Sequence, residues 1–176
     1  MKISKQQLID TKACKDVLER FIEQTNNTDE LVEVLSLIGG KNTVGDLVWL
    51  AGETLHKEKL VRFACDLALI NIEKIKPYTD QYDLIVEFLM NPTTARVDDS
   101  AAARVASLRA ASAAVYTARV AARAVIHAAI YAALQADRVA LYAVDSADTL
   151  YAVRDAVRAG ATQDQINTLL VKMFED

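Results

Sequence analysis

Arg123, His127 and Tyr131 stand at i, i+4 and i+8 and so share one face of a helix. On such a face the arginine could hold an anion while the imidazole or the phenol moved a proton. No sequence-identified nucleophile, second histidine or carboxylate partner accompanies them, and a polar seam that binds helices together explains the same spacing. Metal ligation is poorly supplied. His56 and His127 are far apart, as are Cys14 and Cys65, and neither Cys-x-x-Cys nor His-x-x-x-His spacing occurs. A di-iron centre in a four-helix bundle requires a pair of Glu-x-x-His motifs, which the chain does not supply. Gly39-Gly40-Lys41 has neither the spacing of a P-loop nor a preceding strand, and reads as a helix stop. The expectation is no catalytic residue, no metal and no cofactor.

Binding residues are the alternative. Trp49, the only tryptophan, lies in Leu47-Val48-Trp49-Leu50. Exposed, it would be a hot spot for a protein partner; buried, it anchors the N-terminal helices onto the rest, which is the commoner fate of tryptophan. With Arg123, His127 and Tyr131 it completes the candidate partner or polar-seam residues. Arg104, Arg109, Arg119 and Arg123 do not fall on one continuous helical stripe, and Asp98, Asp99 and Asp137 offer them local ion pairs. The net charge of −4 and pI near 5.2 argue against binding that rests on phosphate neutralisation, so no nucleic-acid partner is expected.

The elements that must position these residues are helical. In residues 101–136, 17 of 36 positions are alanine and none is glycine or proline, which favours helices that approach one another closely. Helix starts recur: Ser4 with Gln7 and Thr162 with Gln165 have capping-box spacing, and Thr28, Thr43 and Thr79 are further N-cap candidates. Gly39-Gly40 and Gly160 read as stops, and Pro77 and Pro92 as breaks. These signals predict helices at 4–10, 12–25, 28–38, 43–55, 57–76, 79–90, 98–115, 118–135, 138–159 and 162–174. No run has the alternation of a half-buried strand. Large residues recur beside alanines, as in Ile126-His127, Ile130-Tyr131 and Leu150-Tyr151, and read as core packing over small neighbours. The expected fold is all-α, a compact multi-helix bundle with a small N-terminal helical extension over 1–56 and the alanine-rich bundle over 57–176.

Segment 110–134 is apolar enough to be weighed as a membrane span. Arg119 and Arg123 interrupt it, and the clean run 124–134 is about half of the roughly 20 residues a span requires. Lys2, Lys5, Asp10 and Lys12 break up the opening, so no secretion leader is expected. Cys14 and Cys65 form no disulfide framework and read as buried thiols in a reducing, cytoplasmic compartment. Residues 1–90 hold nine lysines and two arginines, whereas 91–176 hold eight arginines and one lysine. Either a junction between segments of different origin or a compositional bias accounts for that division.

The run Arg62-Phe63-Ala64-Cys65-Asp66-Leu67-Ala68, in a helix ending near Pro77, precedes an acidic helix from Asp80 and then Ala122-Arg123-Ala124-Val125-Ile126-His127-Ala128. Over about residues 57–155 this order resembles the immunity proteins of bacteria and their phages, small all-helical proteins. Residues 11–55, with Ala13-Cys14-Lys15 and Val48-Trp49-Leu50-Ala51, resemble N-terminal helical segments of small phage- or prophage-encoded proteins. The resemblance implies a non-catalytic, protein-binding role, that of an inhibitor which neutralises a toxin or a host or phage defence protein. Arg123 and His127 are the matched positions it marks. The competing expectations are a self-assembling helical oligomer and an enzyme using the Arg123, His127 and Tyr131 face.

Overall fold

The computed structural model describes residues 1–78, 82–91 and 146–175. Predicted helices 98–115 and 118–135, the first part of 138–159, Thr79, Pro92 and the alanine-rich segment lie outside the described residues. Those described form an all-α fold. In chain order the elements are β1 (Lys2–Ile3), α1 (Lys5–Asp10), α2 (Lys15–Gln24), β2 (Val32–Glu33), a 3-10 turn (Val34–Leu37), α3 (Val44–Thr54), α4 (Lys57–Leu69), a second 3-10 segment (Ile72–Tyr78), α5 (Tyr82–Met90), α6 (Ser146–Ala159) and α7 (Gln163–Glu175).

Each long helix buries one face at helical spacing. In α4, Leu60, Phe63, Ala64, Leu67 and Ala68 fall at i, i+3, i+4, i+7 and i+8 and are all buried. In α7 the corresponding set is Ile166, Leu170, Met173 and Phe174. The buried face of α6 is small instead: Ala152, Val153, Ala156 and Ala159, which lets α6 lie close against both α3 and α4. A single apolar cluster runs from Ile3, Leu8 and Phe21 through Leu47, Val48 and Ala51 to α4, α6 and α7. Residues 1–56 therefore share their core with the helices that follow.

Helix ends account for most of the local architecture. Ser4 with Gln7, and Thr162 with Gln165, exchange side-chain bonds with each other's backbone N–H as capping boxes. Thr43 forms a third, with Asp46 as its partner. Three helices close across a residue of positive φ, α1 and α6 with paired backbone bonds and α2 with one. After α1, Lys12 (φ 59°) donates to Ile9 and Ala13 to Leu8; after α2, Asn26 (φ 53°) precedes Asn27, whose N–H reaches Ile22. After α6, Gly160 (φ 106°) donates to Val157 and Ala161 to Ala156.

Several expectations are corrected. Residues 28–38 are not a helix: Thr28 caps only a turn, accepting from the Glu30 N–H at 3.2 Å, and Val32–Glu33 pairs antiparallel with Lys2–Ile3 before the 3-10 turn. The helix expected over 12–25 begins at Lys15, because Lys12 and Ala13 are consumed in closing α1. The helix expected over 57–76 ends at Leu69, and Pro77 lies inside the following 3-10 segment instead of breaking a helix before it. There Asn71 and Lys74 reach the carbonyls of Ala156 and Ala159 and so satisfy the end of α6. Cys14 is exposed, and only Cys65 is buried. Tyr151, expected in the core, is 45% exposed, with the Arg154 guanidinium 4.7 Å from its ring centroid.

Candidate functional site

Arg123, His127 and Tyr131 lie outside the described residues. Trp49 is half-buried on α3, against a hollow formed with Leu8, Val17 and Phe21 of the first two helices.

Two of the buried carboxylates, Asp46 and Asp66, organise polar networks between helices. Asp46, at the start of α3, accepts from Arg20 of α2 through both oxygens at 2.7 Å and from the Thr43 N–H at 2.9 Å. Burial opposes its ionisation, but the hydrogen bonds from Arg20 and Thr43 outweigh that cost and hold its pKa below the ordinary carboxylate value. Both oxygens are occupied, so this group is a tie between helices α2 and α3 and not a free acid or base.

A broad cleft of about 310 Å³ lies between the 39–44 loop and the start of α7, with Lys41, Asn42, Thr43, Gln163 and Asn167 among its walls. The loop resembles a phosphate cradle only in composition. Gln24 Oε1 accepts from the N–H groups of Lys41 and Asn42 and from the Asn42 amide at 2.7–3.0 Å, so those donors are already used. Gln24 Nε2 in turn donates to the Ser36 carbonyl at 2.9 Å. Gly40 is required for this arrangement, since a Cβ there would collide with the Gln24 amide.

The second carboxylate, Asp66, lies between α4 and α7 and is 9% exposed. Its Oδ1 accepts from Arg62, from Nε at 2.8 Å and also from Nη2, and its Oδ2 accepts from Lys172 Nζ at 2.9 Å. Arg62 Nη1 continues to the Met90 carbonyl at 2.6 Å, at the last residue of α5. Three helices are thereby joined through one ionised network. Burial again opposes ionisation of Asp66, and the bonds from Arg62 and Lys172 prevail and lower its pKa. Beside it opens a cleft of about 60 Å³, walled by Lys59, Arg62 and Lys172 and floored by Phe63, Leu169 and Met173. Sequence reasoning missed this site. The i, i+4 spacing of Arg62 and Asp66 was a signal for half of it, but nothing local pairs Asp66 with Lys172, 106 residues on.

Among the described residues, no group of three or more His, Cys, Asp and Glu is placed to hold a metal ion, and no helix is long and apolar enough to cross a membrane. No family model, curated protein or solved structure matches this chain.

Proposed function

We propose that the chain is a non-catalytic protein-binding module, an immunity-like or phage-encoded inhibitor that neutralises a basic partner protein by covering its functional surface. The observation that supports this reading is the outer face of α2. Asp16, Glu19 and Glu23 stand at i, i+3 and i+7 and are all exposed, on a chain whose net charge is already −4. Their cations are cheap to exchange: Lys15 meets Glu19 at 3.5 Å and Lys41 meets Glu23 at 2.9 Å, both pairs being solvent-exposed and worth little where they are. A basic surface approaching this face would be steered by the charge and would replace those lysines.

The test begins with the tagged chain retaining a partner from lysate of its host, and continues with purified components. Reversing the stripe with Asp16→Lys, Glu19→Lys and Glu23→Lys should lower the association rate about tenfold or more and flatten its dependence on salt. An association rate that ignores both salt and charge reversal would remove the electrostatic basis of this reading. Recovery of the bait alone, at every ionic strength, would remove the heterologous partner and favour self-assembly.

A further inference from the structure

The cleft between α4 and α7 concentrates positive charge on an acidic chain. Lys59, Arg62 and Lys172 line it against one carboxylate, Asp66, which leaves a local charge of about +2 by this count of lining residues. Arg62 is committed, to Asp66 and to the Met90 carbonyl. Lys172 gives one of its three N–H donors to Asp66, and among the described residues Lys59, half-buried, has no carboxylate partner. Ammonium donors at the edge of an apolar hollow gain more from an anion than they would in open water, because less solvent competes for them.

The floor narrows the choice of anion. Phe63, Leu169 and Met173 offer hydrocarbon and a thioether and no donors. A phosphate or sulfate seated there would have oxygens facing apolar side chains, at the full cost of their desolvation. A carboxylate puts its charge at one end and its hydrocarbon at the other. Space of about 60 Å³ admits only a few heavy atoms. We propose that this cleft binds a small aliphatic monocarboxylate, its charge met by Lys59 and Lys172 and its short tail laid on Phe63, Leu169 and Met173. Arg62 and Asp66 are positioning residues: Asp66 holds the Lys172 ammonium at the cleft's polar end and, being negative itself, disfavours a second charge on the ligand. The proposal does not depend on the protein-binding reading of α2.

Titration of the full chain with butyrate, at ionic strength matched with chloride and followed by NMR of the methyl groups of Leu169 and Met173, tests it. Saturable shifts are expected with butyrate and only linear drift with chloride. Lys59→Met, confirmed folded by its far-ultraviolet dichroism, should weaken binding about fivefold, and Lys59→Arg should restore it. Lys172→Met serves in the same way should the first variant fail to fold, and Lys15→Ala, far along the exposed face of α2, should change nothing. Shifts that never saturate, equal affinity for inorganic phosphate, or undiminished binding by a folded Lys59→Met chain would each overturn the proposal.

Discussion

Asp46 and Asp66 do the same physical work in different places. Each is a carboxylate drawn out of water and kept ionised by cations, Arg20 of α2 in one case, and in the other Arg62 of the same helix together with Lys172 of α7. Their folded-state pKa values lie below the ordinary one. The stability they contribute is therefore fully present above the unfolded value, about 3.9, and is lost as pH falls through the folded values. Urea unfolding between pH 7 and pH 3 should show stability declining below about pH 4. Asp46→Asn and Asp66→Asn should each be less stable at neutral pH and less sensitive to acid. Parallel pH profiles for the variants and the parent chain would show that these two groups are not the titrating ones. Of this chemistry the sequence carried only fragments. Thr43 was legible as an N-cap, but Asp46 as its box partner was not, and the Arg20 contact depends on how α2 is laid across α3.

The elements were legible where their signals are local. Ser4, Thr43 and Thr162 mark helix starts because a hydroxyl reaches an amide three residues on, whatever the rest of the chain does. Gly160 marks a stop for a similar reason. The errors fall where a distant segment decides. Val32–Glu33 is extended because Lys2–Ile3 lies beside it, and α4 gives way to a 3-10 segment where Asn71 and Lys74 are needed at the end of α6. The stop at Lys12 was hidden for another reason: its left-handed conformation suits glycine, and the chain uses lysine. That choice costs stability. Since Lys12 is exposed, Lys12→Gly should relieve the strain and raise the unfolding free energy by about 0.5–1 kcal/mol, after the extra freedom glycine has in the unfolded chain is deducted. Thermal unfolding would register this as a higher midpoint, and a lower midpoint would mean that Lys12 contributes something its backbone angle does not reveal.

At the scale of the molecule, the all-α class followed from helix signals spread along the whole chain. That residues 1–56 share a core with the later helices did not, because amphipathic faces say what must be covered and not by what. Leu170 of α7 is fully buried, in the same cluster as Leu47 and Val48 of α3. Leu170→Ala should destabilise the chain by about 3 kcal/mol. Trp49 fluorescence, which reports on α3, should move to lower denaturant together with the dichroism of all the helices. A Trp49 transition left in place would show that the first 56 residues unfold on their own account.

The Asp66 network also bears on how the chain is made. Of the elements described, α7 is synthesised last, yet it supplies Lys172 to a carboxylate laid down in α4 and Ile166, Leu170 and Phe174 to the common core. Until it emerges, α4 carries an acid with half its cations and the earlier helices carry an apolar face without its cover. A nascent chain halted before residue 163 should therefore recruit chaperones and aggregate once released, and the core described here is completed only after α7 is free to dock.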